Sequence, residues 1–394
     1  MKNKRILIGV TGGVAIYKVL SLISKLKKNN YEVRIIMTES ATKMINPILF
    51  ETMGRCKVHT DLFVRDEDSI VHIDISKDCD LFLVAPATAN IIAKTANGIA
   101  DDLLSTTLLA SSSKIAFAPA MNTRMLNNPM TQENIKKLKD LGYYFIESNP
   151  GFLACNEIGD GRMAEADELF DNIERIIEKK DLINKNIIVT GGPTITEIDS
   201  VRYIINKSSG KMGYEIAKAA RNRGANVKLV LGKTNLKALN HADTVNVNTN
   251  EEMLNEIEKS YKDADALIMA AAPMDFIYKD KSNEKIKKEK ENEILDIKLE
   301  ENIDILKHFG DKKGEKILIG FAAESDNNKI LDYAKEKLEV KNLDFIVANN
   351  IKQENAGFDV DTNIATIISK NGEIESLPLM TKEKLANKIL DKLV

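Results

Sequence analysis

Short, dominantly apolar runs recur along the first half of this chain, at Ile6 to Val10, Val33 to Met37, Leu81 to Ala85 and Ile115 to Ala118, each flanked within a few residues by Gly, Pro, Ser or Asn. A strand with one wet face alternates apolar and polar residues, whereas a strand covered on both faces reads as an almost continuous apolar run. Between the runs lie helical patterns. In Val14 to Lys28, Ile16, Val19, Leu20, Ile23 and Leu26 recur at helical spacing with lysines on the opposite face. Strand alternating with helix implies a parallel sheet covered on both sides, hence an α/β fold.

The pattern restarts in the second half. An amphipathic helix around Ile173 to Lys185 grades into the charged segment Glu178-Lys179-Lys180-Asp181, after which a new apolar strand, Ile187 to Thr190, opens on Gly191-Gly192-Pro193. Helices are expected at Lys211 to Arg223 and Ile330 to Leu338, and strands at Val227 to Leu231, Ala266 to Met269, Ile317 to Gly320 and Phe345 to Ala348. A last helix is capped by Thr381 and carries Leu385, Ile389 and Leu393 on one face. The expectation is two doubly wound parallel-sheet domains, residues 1–183 and 184–394. A length of 394 residues fits two or three domains at roughly 150 residues each.

Composition narrows the function. With 56 basic and 59 acidic side chains the formal charge is -3, which opposes a dedicated nucleic-acid or anionic-membrane binder. Cys56, Cys79 and Cys155 have no C-x-x-C spacing, and His59, His72, His241 and His308 lie too far apart for a ligand pair, so neither a disulfide framework nor a transition-metal centre is expected. The N-terminal apolar run stops at Thr11-Gly12-Gly13 without a small-residue cleavage site, and no run approaches the ~18 residues of a membrane span. The chain reads as cytoplasmic and reduced.

Ligands of doubly wound sheets sit beyond the carboxyl ends of the strands. In the first half those positions hold Thr11-Gly12-Gly13, Thr38-Glu39-Ser40-Ala41, Pro86-Ala87-Thr88-Ala89-Asn90 and Pro119-Ala120-Met121-Asn122. Small hydroxyl and amide groups with glycines at helix starts suit a phosphate that accepts backbone N–H bonds. The first turn is not G-x-G-x-x-G and no acid follows at the ribose position, which disfavours a nicotinamide dinucleotide. Taken singly, His72 reads as a structural histidine, Cys155 as an inert small residue, and Asp101 and Asp102 as a helix N-terminus.

In combination, Val71-His72-Ile73, Ala85 to Asn90, Ala100 to Thr107, Pro119 to Asn122 and the stretch Ala154-Cys155 to Gly159-Asp160-Gly161-Arg162-Met163 resemble the flavin-dependent cysteine decarboxylases over residues 4 to about 177. The resemblance implies a flavodoxin-like domain that forms trimers around FMN, held by Gly12, Gly13, Thr38, Ser40, Pro86, Thr88, Ser105 and Met121. It also implies that His72 is the base assisting thiol oxidation, that Asn122 holds the substrate carboxylate and amide, and that Cys155, on a glycine-rich flap from Asn149 to Met163, is the proton donor. Oxidising a cysteine thiol to a thioaldehyde creates the electron sink that lets the adjacent carboxylate leave, and the flavin takes and returns the hydride equivalent.

In the second half, Asn206-Lys207-Ser208-Ser209-Gly210-Lys211-Met212-Gly213 superficially suggests a nucleotide loop, but Met212 follows Lys211 where Ser or Thr is required, and Ile205 replaces the first glycine. Together with Ala271 to Phe276, Glu284 to Lys288, Gly320 to Glu324 and Ala348-Asn349, the run resembles the ligase domain that joins phosphopantothenate to L-cysteine, over residues 186 to 394. That resemblance implies a Rossmann-like domain using CTP and a divalent cation, normally Mg2+, with metal ligands unassigned. It implies Asn206 on the acyl group, Lys285 for attack of cysteine on the acyl-cytidylate, and Asp275, Lys285, Phe321, Lys337 and Lys341 as nucleotide contacts. The segment Lys279 to Glu293, taken alone, reads as a solvated loop. The ligase family is dimeric, so dimers joining trimers imply a dodecamer. The rival expectations are a non-catalytic regulatory subunit and a nicotinamide-driven flavin oxidoreductase.

Overall fold

In the computed structural model, which describes residues 4–63, 70–152, 158–287, 295–324, 330–350, 357 and 360–394, the chain divides into unit 1, residues 1–178, and unit 2, residues 179–394. Unit 1 is built on strands β1 (Arg5–Val10), β2 (Glu32–Met37), β3 (Val58–His59), β4 (Leu81–Ala87), β5 (Lys114–Pro119) and β6 (Tyr144–Phe145). They pair in parallel in the order β3-β2-β1-β4-β5-β6. The helices between them are α1 (Ile16–Lys28), α2 (Glu39–Thr42), α3 (Pro47–Gly54), α4 (Val71–Asp74), α5 (Ala89–Ala96), α6 (Leu103–Ala110), α7 (Thr123–Leu126) and α8 (Pro129–Asp140). A hairpin, β7 (Asn149–Phe152) with β8 (Ile158–Arg162), leads into α9 (Ala166–Ile177).

Both sheet faces are covered. Ile6, Ile8 and Val10 point into the core shared with α1 and α9, while Leu7 points into the opposite core with Phe82, Val84 and Leu104. That division is why these runs lack polar alternation. Gly9 has no space for a side chain against Leu104. Strand order reverses between β1 and β4, which opens a crevice at their carboxyl ends.

The amphipathic helix expected to run on towards Lys185 ends at Ile177; its stripe is Leu169, Phe170, Ile173 and Ile176. Residues 179–183, assigned from the sequence to the first domain, pack with unit 2. Leu182 is fully buried there, and the Asp181 carboxylate accepts two hydrogen bonds from the Arg223 guanidinium at 2.8 and 3.0 Å.

Unit 2 comprises β9 (Asn186–Gly191), β10 (Ile195–Glu197), β11 (Tyr203–Ile205), β12 (Asn226–Leu231), β13 (Asp243–Asn246), β14 (Ala266–Met269), β15 (Phe276–Ile277), β16 (Glu300–Glu301), β17 (Ile317–Glu324), β18 (Phe345–Asn350), β19 (Thr362–Ser369) and β20 (Ile374–Thr381). Its helices are α10 (Lys211–Asn222), α11 (Asn250–Tyr261), α12 (Ile305–Asp311), α13 (Ile330–Val340) and α14 (Lys382–Leu390). The main sheet runs β13-β12-β9-β14-β17-β18-β19-β20. It is parallel through β18 and antiparallel at β19 and β20, an extension the sequence reading did not anticipate. Thr381 caps α14 as expected, accepting from the Lys384 N–H. Order reverses between β9 and β14, so unit 2 has its own crevice. No described helix is long and apolar enough to cross a membrane.

Candidate functional sites

In unit 1 the crevice is assembled by the turn after β1. The buried Thr11 hydroxyl donates to the Pro86 carbonyl at 2.7 Å and lies 3.4 Å from the Thr88 hydroxyl, linking the ends of β1 and β4 across the reversal. A Cβ on Gly12 would lie 2.7 Å from the Ser40 Cβ, and one on Gly13 would lie 3.3 Å from Pro86. Gly12, Gly13, Ser40, Pro86 and Thr88 are therefore neighbours, and the glycines keep backbone N–H groups accessible where side chains would crowd them. Thr38 and Thr88 cap α2 and α5, accepting from the N–H groups of Ala41 and Ile91. Ser105 is buried and exchanges hydrogen bonds with Asp102 in a capping box, so its hydroxyl is engaged within α6. Burial opposes the Asp102 charge, but the Ser105 N–H and Lys94 hold its carboxyl below the usual range.

The Pro-Ala-Met-Asn turn after β5 is stitched to the returning strand of the hairpin. The Met121 N–H donates to the Gly161 carbonyl at 3.1 Å, and the Thr123 hydroxyl donates to the Asp160 carbonyl at 2.6 Å. Asn122 lies between these bonds and caps α7, its Oδ1 accepting from the Arg124 N–H at 2.8 Å. Gly161 has φ +118°, and a Cβ there would collide with the Met121 carbonyl. Beyond the hairpin, the buried Lys18 ammonium donates to the Met163 carbonyl at 2.6 Å and to Glu165 at 2.9 Å. Lys18 thus fastens the base of the expected flap to the helix that follows Gly12-Gly13. Cys155 lies outside the described residues. His72 is half-buried on α4, which packs against α6; its ring makes no hydrogen bond among the described residues.

In unit 2 the Gly191-Gly192-Pro193 turn is bonded on both sides. Gly232 and Lys233 donate to the carbonyls of Gly191 and Pro193, and Ala272 donates to Gly192. Helix α10 starts at Gly210, φ +75°, and Gly213 packs so closely on Thr190 that any side chain would collide with its carbonyl. The Asn206 amide donates to the Pro273 carbonyl at 2.9 Å and to Ala272 at 3.4 Å. The loop after β14 is held from beneath by groups the sequence reading did not single out. The Thr194 hydroxyl donates to Asn250 Oδ1 at 2.5 Å, the Met274 N–H donates to Thr194 Oγ1 at 2.9 Å, and the Asn250 amide donates to the Met274 carbonyl at 3.0 Å. Thr194 is fully buried and Asn250 nearly so, and such groups are retained only with partners. Thr194 lay visible in the Gly-Gly-Pro-Thr turn, whereas Asn250 carried no local signal.

Asp275, Phe321, Lys337 and Lys341, far apart in sequence, line one cavity of about 150 Å³ beside that loop, together with Asp304. Lys341 Nζ is 2.8 Å from Asp304 Oδ2. Burial opposes the Asp304 charge, but Lys341 and the Lys307 N–H outweigh it and hold the carboxyl below its usual range. Lys285 is exposed on a segment that docks on the β10–β11 hairpin: Tyr278 donates to Thr196, and Ser282 donates to Ile198. Among the described residues no three His, Cys, Asp or Glu converge as metal ligands.

Residues 1–178 match the family model described as flavoprotein, and residues 182–394 match that of the DNA/pantothenate metabolism flavoprotein C-terminal domain. Folds and matches together define a two-domain flavoprotein in which a flavin domain precedes that C-terminal domain. The chain is 43% identical to the coenzyme A biosynthesis bifunctional protein CoaBC of Bacillus subtilis, covering 100% of this chain and 97% of the relative. It is 44% identical to the protein of the same name from Borreliella burgdorferi, covering 99% and 98%. A crystal structure of a CoaBC C-terminal domain matches at 40% identity and a TM-score of 0.46, over 55% of this chain and 96% of that one. The chain belongs to the family of bifunctional coenzyme A biosynthesis proteins CoaBC.

Proposed function

We propose that unit 2 joins phosphopantothenate to L-cysteine with CTP, and that unit 1 decarboxylates the product, phosphopantothenoylcysteine, to phosphopantetheine. Both activities, phosphopantothenate-cysteine ligase and phosphopantothenoylcysteine decarboxylase, are those of the family, with the division of labour falling between residues 178 and 184. The convergence of Asp275, Phe321, Lys337 and Lys341 on one cavity beside Asn206's loop carries the reading of the ligase site.

In unit 2, an oxygen of the phosphopantothenate carboxylate attacks the α-phosphorus of CTP and pyrophosphate leaves. Asn206, its amide held by the Ala272 and Pro273 carbonyls, lines the place of the acyl group and fixes its position. Lys337 and Lys341 neutralise the triphosphate, where charge stabilisation and positioning dominate catalysis. The cysteine amine then forms the C–N bond, the acyl–phosphate C–O bond breaks, and CMP departs with the electron pair while the amine proton passes to solvent. Lys285 supports this second step. We propose that the divalent cation, Mg2+, arrives with CTP as part of the substrate.

In unit 1, the crevice fits FMN: a side chain at Gly12 would collide with Ser40 and one at Gly13 would crowd Pro86, which suits a backbone cradle for phosphate. Thr38, Ser40, Pro86, Thr88 and Met121 would line the group, with Ser105 supporting the α6 N-terminus. When bound, the flavin supplies reversible two-electron exchange with the substrate thiol. His72 accepts the thiol proton, Asn122 orients the substrate carboxylate and amide, and Cys155 returns a proton to the decarboxylated carbon. The oligomer consistent with this reading is a dodecamer of flavin trimers joined by ligase dimers, in the cytoplasm. The ligase assignment is tested with Asn206→Asp: acyl-cytidylate formation, read as pyrophosphate release without cysteine, is expected to vanish, and wild-type release would overturn the role of Asn206.

A further inference from the structure

Helix α4, which carries His72, is a single turn of four residues, and one turn of helix does not hold itself together in water. Its apolar anchors, Val71 and Ile75, are buried with Ile36 of β2. On the side of residues 56–59, a cleft of about 240 Å³ runs along Val71, Asp74 and Ile75, so packing does not clamp the helix there. Its far end is held by polar groups instead. Arg34 lies two residues before Ile36, on the same face of β2. Its Nη1 donates to the carbonyls of Asp74 and Ile75 at 2.8 and 2.9 Å, with the Lys77 carbonyl at 3.2 Å. The end of a helix leaves such carbonyls short of donors. Beside it, the Ser76 hydroxyl is shared between the carbonyls of His72 and Ile73, at 3.2 and 3.1 Å. Arg34 is itself steadied: its Nε lies 3.5 Å from Glu32 Oε1, and Glu32 accepts two bonds from the Arg5 guanidinium at 2.7 and 2.9 Å. The His72 ring, by contrast, makes no hydrogen bond among the described residues, so its place follows the backbone of α4.

We propose that Arg34, acting through the C-terminal end of α4 with Ser76 beside it, is a positioning residue that fixes the His72 backbone, and with it the imidazole, for the thiol-oxidation step of decarboxylation. This rests on the reading of His72 as the base. A helix rises about 1.5 Å per residue, so the Asp74 and Ile75 carbonyls stand within one turn of His72 and a tilt of the helix end reaches the ring. A displacement of about 1 Å at a reacting group can cost on the order of 100-fold in rate. The fold itself asks less of Arg34. Its bonds to the Asp74 and Lys77 carbonyls are exposed, so water satisfies those groups when the guanidinium is removed but does not fix where they sit. Among the described residues, its hydrogen bonds go to none of the groups expected to hold FMN or the substrate carboxylate.

The test uses the full, FMN-loaded chain with phosphopantothenoylcysteine as substrate, and compares wild type, Arg34→Met, Arg34→Lys, Ser76→Ala, His72→Asn and the double variant of Arg34→Met with His72→Asn. Flavin content is read from absorbance, and carbon dioxide release is followed both in steady state and in single turnover with enzyme in excess. Arg34→Met is expected to keep its flavin and a KM within about threefold of wild type while kcat falls about tenfold or more. Arg34→Lys, whose ammonium brings three donors to the same carbonyls, is expected to recover most of that loss. In the His72→Asn background the Arg34 change is expected to cost nothing further, because a misplaced base and an absent one are equivalent, whereas a merely structural arginine would slow both backgrounds alike. Ser76→Ala unties the His72 carbonyl itself and is expected to show the same split between kcat and KM; it decides the matter if Arg34→Met does not fold. A wild-type kcat in the deciding variant, or an equal loss with and without His72, overturns the proposal. If His72→Asn is slow and the variants at Arg34 and Ser76 are not, only the proposal falls. If His72→Asn decarboxylates at the wild-type rate, the reading of His72 falls and takes the proposal with it.

Discussion

Replacing Lys341 with methionine removes one of two ammonium groups lining the nucleotide cavity while preserving most of the side chain's apolar volume. The cavity carries Asp275 and Asp304 against Lys337 and Lys341, so its formal charge passes from zero to -1 beside an incoming triphosphate. A hydrogen bond to a charged group contributes about 1.5–3 kcal/mol, equivalent to a rise of roughly 10- to 150-fold in the KM for CTP. The fold loses little. The Lys341–Asp304 pair is partly exposed, which discounts it to below about 1 kcal/mol, and Asp304 retains its capping bond from the Lys307 N–H at 3.0 Å. The companion variant, Asp304→Asn, keeps a capping side chain and frees Lys341, so it raises the cavity charge by one and should leave the KM for CTP unchanged or lower it. Steady-state ligation at varied CTP concentration, repeated at low and high salt, distinguishes the two. A wild-type KM in Lys341→Met, or equal damage from both variants, would refute the assignment of this cavity to the triphosphate.

Gly161→Ala forces a side chain into left-handed backbone and against the Met121 carbonyl; overpacking of this kind costs about 1–3 kcal/mol, and it should abolish decarboxylation while leaving ligation intact, read by separate product assays. Cys155→Ser should retain flavin and accumulate the oxidised, decarboxylated intermediate, visible by mass spectrometry; normal phosphopantetheine from this variant would remove Cys155 as proton donor. Asp181, held low by Arg223, Asp304 and Asp344, which burial pushes up but Lys313 and Lys370 bring below the usual range, have depressed folded-state values. Their stabilisation is therefore complete above the ordinary Asp value of about 3.9 and is lost as pH falls through the lowered values. Circular dichroism during acid titration should show unit 2 unfolding on that limb, and Asp181→Asn should make the limb shallower.

The parts of the fold visible in the sequence are those with a local physical cause. Ile6 to Val10 and Ile187 to Thr190 read as buried strands because Ile6 and Leu7, or Ile187 and Ile188, face separate cores. The Gly-Gly turns read as strand ends, and at Gly12 and Gly192 a Cβ would lie 2.7 Å from Ser40 and 2.5 Å from Thr234. The antiparallel β19–β20 addition was not legible, since β19 loses its alternation after Ile367 and β20 is mostly exposed, so neither carries a clean strand pattern. Leu182 was read as part of the first domain's last helix, because its burial in unit 2 rests on contacts that leave no local pattern. In the sites, the motifs named Asn206, Asp275 and Phe321, but not the Thr194–Asn250 support. That support depends on contacts across tens of residues, and a Thr, Asn or Asp near a turn signals a cap long before it signals a partner elsewhere in the fold.

The most direct test of the account is to incubate the purified chain with phosphopantothenate, L-cysteine, CTP and Mg2+ and to follow products by mass spectrometry. The account predicts conversion through phosphopantothenoylcysteine to phosphopantetheine, with one pyrophosphate, one CMP and one carbon dioxide released per turnover. A flavin-loaded, folded protein that yields neither product would contradict it.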